Sequence, residues 1–156
     1  MAEMSARARA STPVRWLDVC CGSGRAPAEA ARLLADRGAT AQAEITGLED
    51  HFVSGHLPPF LRLTSGSVTE WAPDGRFDLI TCVHGLHYVG DKLGVLSRIA
   101  SWLTSDGLFI ANFDARSIRR ADGKGLCAPT LRQPCTTHVQ TPRSHSNPIR
   151  VSRTPR

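Results

Sequence analysis

Val14-Arg15-Trp16-Leu17-Asp18-Val19-Cys20-Cys21-Gly22-Ser23-Gly24-Arg25-Ala26-Pro27 is the stretch that decides the fold. Val14 to Val19 is an apolar, β-branched run with a carboxylate near its end, and reads as a short buried strand. Ala26 to Leu34, rich in alanine and leucine with Glu29 near its start, suits a helix. Between them Gly22 and Gly24 lack a Cβ, so the backbone can turn sharply and let a ligand approach, while the helix start offers free N–H groups. Strand, glycine turn, helix is the order of a ligand-binding loop in an α/β protein.

Leu17-Asp18-Val19-Cys20-Cys21-Gly22-Ser23-Gly24 resembles the first motif of class I S-adenosylmethionine-dependent methyltransferases, an acidic residue followed by a short glycine-rich run. A dinucleotide loop needs G-x-G-x-x-G instead; its sixth position here is Pro27, and Asp18 ahead of the glycines would repel a pyrophosphate. The resemblance implies S-adenosyl-L-methionine as cofactor, with Asp18 meeting its cationic amine and Gly22, Ser23 and Gly24 around the methionyl part. Cys20, which stands where many members carry a first glycine, belongs to the same cofactor-binding set.

The rest of the chain extends the pattern. The first helix is expected from about Ala26 to Arg37, stopped by Gly38. Ala43 to Leu48 reads as a second strand closing on Glu49-Asp50, and a carboxylate there, ~20–30 residues past the glycine turn, can accept hydrogen bonds from ribose hydroxyls. Glu49 is the aligned candidate and Asp50 the alternative. Gly55, Pro58 and Pro59 interrupt any helix over His51 to Pro59.

Phe60 to Leu63 reads as the third strand, followed by Thr64-Ser65-Gly66-Ser67-Val68. This stretch is similar to the family's Gly-Asp-Ala step at the adenine, with Ser67 in the aspartate position and Val68 in the packing one. Arg76 to His84 is the fourth strand, and its Phe-Asp-Leu-Ile start closely resembles the strand that borders cofactor and substrate. His84, Gly85, Leu86, His87 and Tyr88 are therefore expected to face the site, since ligands sit outside the carboxyl ends of parallel strands. An amphipathic helix over Lys92 to Leu103, a stop at Ser105-Asp106-Gly107 and a fifth strand, Leu108 to Phe113, complete the series.

The fold class implied is a Rossmann-like, doubly wound α/β sheet with strand order 3-2-1-4-5 and helices on both faces. The expected organisation is an N-terminal arm over residues 1–13, the methyltransferase domain over 14–114 and a basic, proline-rich, disordered tail over 115–156. The tail holds Pro129, Pro134, Pro142, Pro148 and Pro155, and no sixth or seventh strand is legible in it. That reads as a truncated chain, or one whose frame changes near Gly125 to Cys127.

Composition bounds the partners. The net charge of +5 is uneven: through Asp114 ten Lys/Arg face thirteen Asp/Glu, a net of −3, and from Ala115 nine face one, a net of +8. No apolar run approaches the ~20 residues of a membrane span and the start lacks a secretory core, so the expectation is a cytoplasmic protein without membrane contact. Five cysteines, an odd number with three in strand-like runs, argue for reduced thiols.

Methyl transfer needs positioning more than a dense catalytic cluster, and His84 or His87 can serve as general base because imidazole titrates near neutral pH. The plainer reading makes His84 a pocket-lining residue and His87 a packing one. Cys127, Cys135 and His138 lack the paired spacing of a zinc site, so no metal is expected. The basic tail lacks interleaved aromatics and argues against nucleic acid. The function expected is methylation of a small-molecule acceptor; the alternatives are a non-catalytic remnant of such an enzyme and an RNA methyltransferase with a basic tail.

Overall fold

The computed structural model describes residues 12–50, 57–113 and 117–118, and the backbone of two further strands at 135–140 and 150–153. Among the described residues there are seven strands: β1 (Val14–Val19), β2 (Ala43–Glu49), β3 (Leu61–Ser65), β4 (Phe77–Cys82), β5 (Leu103–Phe113), β6 (Cys135–Gln140) and β7 (Arg150–Arg153). Two α-helices, α1 (Arg25–Asp36) and α2 (Lys92–Trp102), and a 3-10 turn at Thr40–Gln42 lie among them. One sheet holds all seven strands in the order β3-β2-β1-β4-β5-β6-β7, with β1 to β5 parallel and β6 and β7 antiparallel to their inner neighbours.

The parallel core thus has the expected order 3-2-1-4-5. Beyond it the sheet does not stop at β5. The expectation that sixth and seventh strands are missing is corrected by β6 and β7, short strands of six and four residues from the stretch read as a tail. Their sequences, Cys-Thr-Thr-His-Val-Gln and Arg-Val-Ser-Arg, carry β-branched residues in runs too short to signal a strand, and their pairing comes from the edge that β5 presents. The rest of the proposed tail, the arm over residues 1–11 and most of His51 to Pro59 lie outside the described residues.

Local chemistry explains the elements. α1 begins after Gly24, whose left-handed φ of 72° no residue with a Cβ adopts without strain, and Pro27 falls in the first turn, where its missing N–H is not needed. Arg37 caps the helix and Gly38 follows at φ 65°, the stop expected of a glycine. Glu29 pairs instead with Arg32 at 2.7 Å on the exposed face.

The two helices cover opposite faces of the sheet. Ala31 of α1 packs on Ile45 and Leu61, while Val95, Ile99 and Trp102 of α2 pack with Leu17, Val19, Ile80 and Phe109. Leu17, Val19 and Ile80 are fully buried, as expected of strands covered on both sides. α2 runs straight into β5 at Leu103, and the register slips between Phe77↔Leu103 and Leu79↔Leu108, so Ser105-Asp106-Gly107 forms an irregularity in the strand and does not separate it from the helix. None of the described helices is long and apolar enough to cross a membrane.

Candidate functional site

The chain runs outward from β1 through β2 to β3 and returns to β4 on the other side of β1, so a crevice opens at the carboxyl ends of β1 and β4. A cleft of about 450 Å³ lies there. It is lined by Cys20 and Gly22 of the turn, Glu49 and Asp50 after β2, Ser67 and Val68 after β3, and His84 and Tyr88 after β4, with Gly66, Thr69, Val89 and Gly90 at its edges. That size is in the range of small-molecule sites.

The turn is built from left-handed residues. Cys20 has φ 55°, Gly22 φ 59° and Gly24 φ 72°. For Cys20, which carries a Cβ, this is an unusual conformation, which fits its standing where a glycine is common. Cys21 N–H donates to the Leu48 carbonyl at 3.2 Å and ties the turn to β2. Gly85 packs so closely on the turn that a Cβ there would overlap the Cys20 Cβ.

Glu49, the last residue of β2, faces the turn with its carboxylate. Oε2 accepts the Gly22 N–H at 2.7 Å and Oε1 accepts the Asp50 N–H at 3.0 Å, so the group is held in one orientation with lone pairs left for a ligand. Ser67 Oγ lies 2.8 Å from Thr69 Oγ1, and the Ser67 carbonyl accepts from Glu70 and Trp71 N–H, which fixes the third wall. Val68 is 6% exposed and joins the core to the cleft.

Asp18 is placed differently from its expected role. It is buried, does not line the cleft, and accepts the Thr81 hydroxyl through Oδ1. Thr81 Oγ1 in turn accepts the Trp16 indole N–H at 2.9 Å, forming a relay from β1 to β4 and back. Burial pushes the Asp18 carboxyl above the ordinary aspartate range, and the Thr81 hydrogen bond and the charge of His84 oppose that rise. Burial likewise pushes the Cys21 thiol up to about 12, helped by the negative charges of Asp18 and Glu49.

Of the residues singled out in the sequence, Cys20, Gly22, Glu49, Asp50, Ser67, Val68 and His84 meet in the cleft. Asp18, Ser23, Gly24 and His87 do not line it. His87 stacks on Tyr88 at 3.9 Å between ring centroids, and Leu86, expected to face the site, is instead 1% exposed in the core. Thr81 is the residue missed: nothing in the sequence links it to Asp18, and only the register Asp18↔Thr81 between parallel strands brings the two together.

The sequence signature of the methyltransferase-domain family matches residues 2–146. The chain belongs to that family. No curated protein sequence matches it. Solved structures share the fold of this methyltransferase domain at low identity: the plantazolicin methyltransferase BpumL in complex with a desmethylPZN analog and SAH is 13% identical with a TM-score of 0.53, covering 79% of this chain and 54% of that one. A putative S-adenosylmethionine-dependent methyltransferase from Listeria monocytogenes is 17% identical with a TM-score of 0.51, covering 85% and 68%. The StiE O-MT, residues 961–1257, is 19% identical with a TM-score of 0.52, covering 63% and 37%. The chain spans about half the length of the first of these structures.

Proposed function

We propose that this chain is an S-adenosyl-L-methionine-dependent methyltransferase whose acceptor is a small molecule. The observation that carries the reading is the oriented carboxylate of Glu49 in the cleft at the ends of β1 and β4. Two backbone N–H groups aim it and leave it able to accept from a ribose diol. Ser67 offers a hydroxyl to the adenine edge and Val68 an apolar surface to its face, while Gly22 and Cys20 leave room for the methionyl chain beside the turn. Ser23 and Gly24 act by shaping that turn. Bound there, the cofactor supplies a methyl group activated by a sulfonium.

Asp18 acts in this reading by tying β1 to β4 through Thr81 just ahead of the turn and by adding negative potential beneath the cationic end of the cofactor. His84, at the cleft wall, is placed to take a proton from an acceptor, whereas His87 supports Tyr88 at the rim. The family of the chain and the SAH present in the BpumL structures support the choice of cofactor. The cleft is of a size that this cofactor fills.

Isothermal calorimetry with S-adenosylhomocysteine tests this. The intact protein should bind it, and Glu49→Ala should weaken binding by about tenfold or more at unchanged far-ultraviolet circular dichroism. Folded protein that takes up no S-adenosylhomocysteine would overturn the reading.

A further inference from the structure

Trp16, Thr81 and Asp18 form a chain of hydrogen bonds with one direction. Trp16 and Asp18 stand two residues apart on β1 and so share a face, the one on which Trp16 packs against the cluster of Ala31 from α1, and the register Asp18↔Thr81 sets Thr81 beside them on β4. The Trp16 indole can only donate, and its N–H reaches Thr81 Oγ1 at 2.9 Å. A hydroxyl has one proton, and that of Thr81 goes to Asp18 Oδ1. Each donor in the series strengthens the next, so Thr81 donates to Asp18 more strongly than an isolated hydroxyl would. A hydrogen bond to a charged acceptor is roughly twice as strong as one between neutral groups, so the chain favours the ionised form of Asp18.

That preference works against the surroundings. Asp18 is buried, and burial drives its carboxyl upward while the Thr81 hydrogen bond and the charge of His84 pull it back. Cys21 in the turn and Cys82 on β4 are thiols that feel the charge of Asp18, and Glu49 adds a second carboxylate at the turn. Gly47 stands opposite Asp18 on β2, and the charged residues of α1, Arg25, Glu29, Arg32 and Asp36, are exposed. Among the described residues Thr81 is the one side chain that hydrogen-bonds to the Asp18 carboxyl.

We propose that Thr81, polarised by Trp16, is a positioning residue that keeps Asp18 ionised near neutral pH and thereby sets the pH range over which the cleft holds a cationic ligand end. Asp18 does not line the cleft, whereas Cys20 and Gly22 of the turn that follows it do. It therefore acts on a ligand through its field, and that field exists only while the carboxyl is ionised. Loss of the Thr81 hydroxyl leaves burial opposed by His84 alone, so the carboxyl takes up its proton at higher pH. Affinity for a cationic end falls with it. The link to a cationic ligand rests on the methyltransferase reading above; the response of the three side chains to pH does not.

The test begins with proton–nitrogen correlation spectra of the full chain without ligand, from about pH 4 to about 7.5, the Trp16 indole signal being the one absent in Trp16→Phe. That signal should titrate, and its titration should vanish in Asp18→Asn. A Trp16 signal that ignores pH, or that moves alike in Asp18→Asn, overturns the proposal. Calorimetry with S-adenosylhomocysteine over the same range should show affinity rising through the same midpoint; binding that is flat with pH overturns the proposal. Thr81→Val should raise the midpoint by about one pH unit, and Thr81→Ser should keep it. A Thr81→Val loss that is equal at every pH marks a structural role only and also overturns it. Trp16→Phe removes the donor to Thr81 and should raise the midpoint by less. It decides the matter where Thr81→Val does not fold, and an unmoved midpoint then overturns the proposal. Protein that binds no S-adenosylhomocysteine at any pH defeats the cofactor reading alone, because the spectra still decide whether Trp16, Thr81 and Asp18 respond together.

Discussion

Asp18 ties β1 to β4 through Thr81 without lining the cleft, and its burial has a consequence for pH. A carboxyl whose native value lies above the ordinary aspartate value of about 3.9 binds its proton more tightly in the folded than in the unfolded state. Its stabilising contribution is therefore complete below that ordinary value and is lost as pH rises through the raised native value. Asp18→Asn keeps a carbonyl oxygen for the Thr81 hydroxyl and removes the ionisation. The variant should gain stability relative to the parent as pH rises from about 4 towards neutrality, and show no gain in more acidic solution, by urea midpoints measured across pH. A gap between the two proteins that is independent of pH would show that Asp18 does not titrate in this way. Calorimetry of the same variant then separates support of the turn from any contribution to cation binding.

Helix α2 shows how one element can anchor another part of the cleft. Asp91 caps it by accepting the Gly94 N–H at 2.9 Å, and Lys92 reaches back to the Val89 carbonyl at 2.7 Å, so the helix start and the Tyr88–Gly90 wall are tied together. On its buried side Val95, Ile99 and Trp102 lock into the sheet, and Arg98 donates to the Trp71 carbonyl at 2.7 Å. Asp91→Ala removes the cap and should lower stability by about 1 kcal/mol, read from the shift in denaturant midpoint at constant slope. The turn between β1 and α1 relies on backbone geometry in place of a side-chain cap: Gly24 occupies the cap position with no side-chain hydrogen bond. The two helix starts thus differ: α1 begins without a side-chain cap, and α2 is closed by Asp91.

Across the whole molecule, the sheet is the unit of stability. β5 lies between β4 and β6, with Leu108↔Gln140 through Phe113↔Cys135 in register, so its backbone is paired on both sides. Removing residues 135–156 would leave β5 as a bare edge six residues long or more, a template for pairing between copies. That truncated chain should associate, as read by light scattering after size exclusion. Alternate amides over Leu108 to Phe113 should also exchange faster than in the intact chain. Equal exchange in both proteins would mean that β6 contributes no protection.

The positions of β1, α1, β2 and α2 were legible in the chain because each signal is local: apolar runs, alanine-rich periodicity, glycine stops and carboxylates at strand ends act over a few residues. The same local logic named Glu49, Gly22, Ser67 and His84, since a resemblance carried by short motifs travels with the motif. What sequence could not supply was pairing. Thr81 meets Asp18 and β6 meets β5 only because parallel or antiparallel registers bring together residues 63 and from 22 to 32 positions apart, and hydrogen bonding between strands leaves no trace in either strand alone. Leu86 and His87 make the same point in reverse: adjacent in the chain at the end of β4, one fell into the core and the other onto the surface, because only the packed sheet and α2 define which direction is inward.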